Sequence, residues 1–187
     1  RTVEEVRRLV ADAERSAAFR PQQASLSDGS SCGVNGALPA ASHHLFHYLH
    51  LAAALGAKPE PLATHLAVSA DEVAAVKAKF NLPDGLLIGL NAGAEYGPAK
   101  RWPAGHFAEL ARQLAGPVLL LGSAKEAEVC ETIANEVNAQ SPGKCQSLAG
   151  KTALGLALSI IAAAKLLVSN DSGLMHVAAA LSVRQLA

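Results

Sequence analysis

The feature that most constrains the fold is a pattern repeated after residue 85, in which a short apolar run leads through a loop into a helical stretch. Runs of this length, at 86–91, 117–121 and 166–168, are typical of buried strands and too short for core helices. After Pro103, apolar residues spaced i, i+3, i+4 and i+7 predict an amphipathic helix. Strand–helix alternation with short connections predicts a parallel sheet, wound right-handed, with helices on both faces.

Composition limits the classes of partner. The 187 residues are 50% hydrophobic, and Lys plus Arg equals Asp plus Glu at 16 each. This charge balance argues against nucleic acid as a partner. No apolar run approaches the roughly 20 residues of a membrane span, so at most peripheral membrane contact is expected. The three cysteines lack CxxC spacing, which implies no disulfide framework and fits a reducing cytosol.

The chain divides into three predicted parts. Residues 1–42 are predicted to form an exposed helix from Val3 to about Ala18, followed by an irregular connector of unclear origin. Residues 43–84 are mainly helical and are interpreted as the remnant of another domain and its linker. Residues 85–187 carry the regular α/β pattern, and residues 182–187 are expected to end the chain without adding a strand. The sheet is therefore expected to be incomplete.

The loop at 93–103 is the first candidate binding element. It joins the carboxyl end of a predicted strand to a helix start, which is where parallel α/β sheets bind ligands. Its glycines allow close approach of backbone N–H groups, and Lys100 and Arg101 lie beside a helix start that favours anions. A phosphate suits this chemistry, although prolines in a stiff surface turn would explain the same residues. Neither GxGxxG nor GxxxxGK[ST] occurs, so the ordinary dinucleotide fold and the P-loop are disfavoured.

Three motifs carry a family resemblance: GAEYGPAKRWP at 93–103, LLLGSAKEAE at 119–128 and VSNDSGLMHVAAAL at 168–181. In this order they resemble the C-terminal domain of glycosyltransferase family 9, the bacterial lipopolysaccharide heptosyltransferases. The resemblance implies a GT-B architecture, in which two Rossmann-like domains face a cleft and the C-terminal one holds the donor. It also implies an inverting transfer of heptose from ADP-heptose to a heptose of the lipopolysaccharide inner core. The implied location is the cytosol, at the inner face of the inner membrane, with no cofactor and no obligatory metal.

The resemblance assigns donor-binding roles to residues at the predicted strand exits. The predicted set is Gly93, Ala94, Lys100, Glu126, Asp171, Ser172, Gly173, Leu174 and His176. Lys100 matches a lysine that contacts donor phosphate, where a fixed cation stabilises the leaving ADP; the alternative is a solvated loop lysine. Glu126 matches a glutamate that accepts hydrogen bonds from ribose hydroxyls, but Ser123-x-x-Glu126 also has the spacing of a capping box.

The segment at 170–176 has two interpretations as well. The resemblance directs Asp171 to the donor heptose, and Ser172 with the amides of Gly173 and Leu174 to the diphosphate. Asp171 or Ser172 as a helix N-cap is the structural alternative. His176 is interpreted as a donor to phosphate, against the alternative of an interior histidine whose hydrogen bonds are satisfied.

No catalytic residue is assigned in this chain. The family's general base is an aspartate near the start of the N-terminal domain, and nothing in residues 1–42 matches its pattern. A nucleotide-binding module without catalysis, or an inactive fragment, is therefore the alternative function. His43, His47 and His50 have a spacing compatible with zinc, but no Asp, Glu or Cys lies between residues 41 and 55. Partly exposed histidines are favoured, and no metal site is predicted.

Overall fold

The computed structural model describes residues 2–15, 44–60, 62–94 and 100–187, without the side chains of 12–15 and of His44. The chain forms two compact units. One consists of residues 1–20 together with 65–187, and the other of residues 21–64.

The larger unit is built on a sheet of five parallel strands in the order β3-β2-β1-β4-β5. The strands are β1 (Ile88–Asn91), β2 (Val118–Leu121), β3 (Cys145–Ser147), β4 (Leu166–Ser169) and β5 (Arg184–Leu186). In the central strands, Ile88 lies opposite both Val118 and Leu166. Side chains of successive strand residues point to opposite faces, so the sheet supplies apolar groups to two cores.

Helices cover both faces of this sheet. They are α1 (Val3–Arg15), α3 (Ala70–Phe80), α4 (Ala104–Gln113), α5 (Ala127–Asn138), α6 (Leu154–Ala163) and α7 (Gly173–Ala180). One core gathers buried residues of α1, α4 and α5, and the other gathers residues of α3, α6 and α7. Ile88 and Leu90 enter the first core, whereas Leu87 enters the second. The predicted α/β fold with helices on both faces is confirmed.

Local signals place the helix and strand ends well. The capping box predicted for α3 is present: Ser69 Oγ accepts from the Glu72 N–H at 3.2 Å, and Glu72 Oε2 accepts from the Ser69 N–H at 2.8 Å. The helix ends at Asn81, which is left-handed with φ of 51°. The third strand, predicted at 146–148, lies one residue earlier at Cys145–Ser147.

The expectation of an exposed first helix is wrong. Val3, Val6 and Val10 of α1 are 8%, 6% and 1% exposed and belong to the core that contains α4. The apolar stripe of α1 packs against the sheet unit, while Glu4 and Glu5 face solvent. Local sequence predicted the helix but not its packing partners, which lie far away along the chain.

The expectation that residues 182–187 add no strand is also wrong. Arg184–Leu186 form β5, which pairs in parallel with β4. Ser182 adopts a left-handed conformation with φ of 57°, and the Val183 N–H bonds to the Ala178 carbonyl at 2.9 Å. This turn brings the chain from α7 back to the edge of the sheet.

The predicted boundary at residue 85 does not mark the edge of the compact unit, which resumes at His65. Val76 of α3 is 1% exposed and shares a core with Ile160 and Ile161, so α3 belongs with the sheet. The origin assigned to residues 1–42 and 43–84 stays a prediction. In the smaller unit the structure describes helix α2 (His44–Ala54), followed by Gly56 at φ of 88°, as the predicted glycine cap requires.

Candidate functional site

The candidate site is a cleft at the carboxyl ends of β1, β2 and β4. The chain runs outward from β1 through β2 to β3 on one side of the sheet, and from β4 to β5 on the other. The boundary between β1 and β4 is therefore a topological switch point. Ligands usually bind at such a point in parallel α/β sheets. The cleft has a volume of about 450 Å³. Its lining includes Asn91, Gly93, Ala94, Ser123, Glu126, Thr152, Leu154, Ser172, Gly173 and Leu174.

The side chain of Asn170 forms hydrogen bonds with residues on both sides of the loop that follows β1. Its side chain is 6% exposed; Nδ2 donates to the Ala92 carbonyl at 2.7 Å and to the Gly93 carbonyl at 3.3 Å. Oδ1 accepts from the Trp102 N–H at 3.0 Å. The loop is therefore held at both ends by one residue of the β4 exit. Trp102 is half-buried and makes an edge contact with Phe107 at 5.0 Å between ring centroids, so it anchors the start of α4.

Lys100 and Asp171, two predicted donor-binding residues, form an ion pair with 2.6 Å between Nζ and Oδ2. The hydrogen bond from Lys100 and its charge lower the pKa of Asp171. Both residues line a neighbouring cavity of about 330 Å³ rather than the larger cleft. Arg101 has a different task, because its guanidinium donates to the Ala94 carbonyl through Nε and Nη2 at 3.1 and 2.8 Å.

Glu126 lies between the exits of β1 and β2. Its Oε2 accepts from the Ser123 N–H at 2.6 Å, so the structural role predicted from the capping spacing is present. The same carboxylate rests on Gly93, where a Cβ would lie 1.7 Å from Oε1. The carboxylate occupies the space that a side chain at residue 93 would take, so glycine lets Glu126 lie this close to the backbone.

Ser172 is the N-cap residue of α7, but its side chain makes no capping hydrogen bond. Its Oγ instead accepts from Asn91 Nδ2 at 2.6 Å and lies 3.1 Å from Ser169 Oγ. Gly173 and Leu174 begin α7 beside it and line the same cleft. The simple N-cap interpretation of Ser172 therefore does not account for its side chain.

The structure thus gathers six of the nine predicted residues around one cleft: Gly93, Ala94, Glu126, Ser172, Gly173 and Leu174. Lys100 and Asp171 lie beside it as a pair, and His176 is exposed further along α7. Sequence reasoning missed Asn91 and Asn170 as parts of the site. A polar residue directly at the end of an apolar strand was the available signal for both.

The described residues were also compared with what a metal site or a membrane span would need. Within 2–15, 44–60, 62–94 and 100–187, no three His, Cys, Asp or Glu side chains are grouped to hold a metal ion. His43 lies outside the described residues. Cys130 and Cys145 are free and buried, and burial raises the pKa of these thiols to about 11 and about 12. Among the helices that the structure describes, none is long and apolar enough to cross a bilayer.

Fold and cleft together define a Rossmann-like domain with a cleft at the carboxyl edge of its parallel sheet, which is where proteins of this class bind their ligands. Comparison with known proteins narrows this class. The sequence profile of glycosyltransferase family 9 (heptosyltransferase) matches residues 17–187, and the chain belongs to that family.

Individual relatives agree with the family. The chain is 48% identical over 128 residues to lipopolysaccharide heptosyltransferase 2 of Salmonella typhimurium, covering 66% of this chain and 37% of the relative. It is 47% identical over 129 residues to the Escherichia coli K12 protein of the same name, again covering 66% and 37%. The chain therefore spans little more than a third of the length of these relatives.

Solved structures show the same architecture. The structure of E. coli ADP-heptose lps heptosyltransferase II matches with a TM-score of 0.64 and 45% identity, over 68% of this chain and 40% of that one. E. coli heptosyltransferase WaaC with ADP-2-deoxy-2-fluoro heptose matches with a TM-score of 0.50 and 25% identity, over 73% and 41%. The predicted GT-B-type, Rossmann-like domain is confirmed by these matches.

Proposed function

We propose that residues 85–187 bind ADP-heptose as the donor half of a lipopolysaccharide heptosyltransferase. The protein would transfer heptose from this donor to a heptose of the lipopolysaccharide inner core. The observation that carries the proposal is the convergence of all three sequence motifs on one strand-exit cleft, with residues from the exits of β1, β2 and β4. Relatives named as heptosyltransferases, one of them solved with an ADP-heptose analogue, support the choice of donor.

The chemistry of the cleft suits a departing nucleoside diphosphate. As the bond between heptose and phosphate breaks, negative charge grows on the ADP oxygens, and preorganised positive groups lower that barrier. The N-terminus of α7 offers backbone N–H groups with a favourable dipole, and Lys100 supplies a full charge beside it. In this proposal Glu126 accepts hydrogen bonds from the ribose, Asp171 faces the donor heptose, and His176 donates to phosphate.

The acceptor side of the reaction is assigned to the N-terminal domain of the family. Attack by an acceptor hydroxyl needs a base to remove its proton, and we place that base in the N-terminal domain rather than in residues 85–187. We also propose that the enzyme works in the cytosol at the inner face of the inner membrane of a Gram-negative bacterium. A nucleotide-binding module without catalysis is less favoured, because the family and the relatives are transferases.

Calorimetric titration with ADP-heptose and with ADP tests the donor site directly. Both ligands are expected to bind at one site and to compete with each other. The matched control is Lys165→Ala, which removes an exposed lysine next to the amino end of β4, at the opposite edge of the sheet. A chain that is folded but binds neither ligand would refute the proposal.

A further inference from the structure

Asn91 is a buried polar residue at the last position of β1, and the predicted donor-binding set does not include it. Its side chain is 3% exposed. Nδ2 donates to Ser172 Oγ at 2.6 Å and to Ser169 Oγ at 3.1 Å. Both serines lie at the exit of β4, so Asn91 joins the two central strands at the switch point. Buried side-chain amides normally have hydrogen-bond partners, and here both acceptors are hydroxyl groups.

These contacts determine the direction of the Ser169 hydroxyl hydrogen and leave two directions for that of Ser172. A serine hydroxyl has one hydrogen to donate and two lone pairs to accept with. Ser169 Oγ donates its hydrogen to the Asn170 carbonyl at 2.6 Å, so toward Asn91 and Ser172 it acts as an acceptor. Ser172 Oγ accepts from Asn91, and its own hydrogen points either to Ser169 or into the cleft.

We propose that Asn91 is a positioning residue for the donor diphosphate, because it commits the Ser172 hydroxyl to donating a hydrogen bond toward the ligand. The inference rests on the proposed function, since it takes the ligand at Ser172 to be a diphosphate. Ionised phosphate oxygens accept hydrogen bonds, and bonds to such charged acceptors are the strong ones. By occupying an acceptor position of Ser172 Oγ, the Asn91 amide leaves the hydrogen to the ligand.

Ser169 provides a second acceptor for the Ser172 hydroxyl hydrogen. Its Oγ can accept the Ser172 hydrogen across 3.1 Å, so that hydroxyl has a partner within the protein and avoids the stability cost of an unpaired polar group. When phosphate arrives, the Ser172 hydrogen needs to rotate only from Ser169 to the ligand. Asn91 itself makes no contact with the diphosphate in this arrangement.

Two substitutions of similar size test the hydrogen bond between Asn91 and Ser172. One reverses its direction, and the other removes it. Asn91→Asp replaces the donating amide with a carboxylate, which accepts the Ser172 hydrogen and repels phosphate. The affinity for ADP is expected to fall about 10- to 100-fold. Asn91→Leu removes the hydrogen bond but leaves the Ser172 hydroxyl free to turn, so a smaller loss of about 3- to 10-fold is expected.

A double-mutant cycle tests whether Asn91 acts through Ser172. In a Ser172→Ala background, Asn91→Leu is expected to cause no further loss of ADP affinity, because the hydroxyl that it orients is gone. A merely structural role would lower affinity equally in both backgrounds, which would overturn the inference. Circular dichroism melting shows which variants fold, and the leucine cycle decides the question even if the buried charge of Asn91→Asp unfolds the chain.

The two proposals fail in different ways. If the unmodified chain does not bind ADP, both the proposed donor site and the proposed role of Asn91 are refuted. If the unmodified chain binds ADP but Asn91→Leu binds as tightly, only the inference is refuted.

Discussion

Replacing Gly93 with alanine is expected to displace the Glu126 carboxylate from its place in the candidate cleft. A Cβ at residue 93 would lie 1.7 Å from Oε1 and 2.1 Å from Cδ of Glu126. Both atoms belong to the end of a flexible side chain, so the carboxylate can rotate away while the strands keep their places. The substitution therefore tests the position of Glu126 without altering Glu126 itself.

The magnitude follows from the hydrogen bonds that Glu126 would lose. Its Oε2 accepts from the Ser123 N–H at 2.6 Å, and loss of a capping interaction costs about 0.5–2 kcal/mol of stability. A loss of about 1 kcal/mol lowers the Tm of a chain of this size by about 2–4 °C. If Glu126 binds ribose, the lost hydrogen bonds to its charged group weaken ADP binding by about 1.5–3 kcal/mol.

Thermal unfolding and calorimetry measure the two effects separately. Gly105→Ala in α4 is the matched control, since a Cβ there meets nothing within 4 Å and alanine is the better helix former. It is expected to melt no lower than the unmodified chain and to bind ADP normally.

A second cycle decides whether the clash is the cause. In Glu126→Ala the obstacle is absent, so adding Gly93→Ala should leave ADP affinity at the level of Glu126→Ala alone. The reasoning is refuted if the two losses add, or if Gly93→Ala by itself binds ADP as the unmodified chain does.

Three further predictions concern the donor and the reaction. Lys100→Ala should weaken ADP binding by about 1.5–3 kcal/mol, with less effect at high salt. The Tm of this variant should hardly change, because the side chains of Lys100 and Asp171 are 49% and 58% exposed and such surface pairs contribute under about 1 kcal/mol. Normal ADP binding with a much lower Tm would instead show that Lys100 has a structural role. ADP should bind more tightly than UDP or GDP in calorimetry, and equal or stronger UDP binding would contradict the proposed donor. Incubated with ADP-heptose and a heptose-bearing core acceptor, this chain should yield no product by mass spectrometry, because we place the general base in another domain; product formation that is lost in Glu14→Gln or Asp28→Asn would contradict this.

Much of the fold follows from the sequence because it depends on neighbours along the chain. Apolar runs and helical stripes placed β1, β2, β4 and the helices around them. The box at Ser69 and Glu72 fixed the start of α3, since its partners are three residues apart. The strand-exit loops followed in turn, because parallel strands gather their carboxyl ends at one edge. The position of the candidate cleft was therefore predictable from the sequence, although the roles of its residues stay proposals.

Only the tertiary structure decided which distant groups meet. Val6 and Val10 of α1 are buried because α4 and the sheet cover them, and β5 exists because the turn at Ser182 leads to an open strand edge. Asn170 and Asn91 bond to partners 68 and 81 residues away. Periodicity describes a residue's own helix or strand but not which strand lies next to it, and a buried amide is positioned by that neighbour.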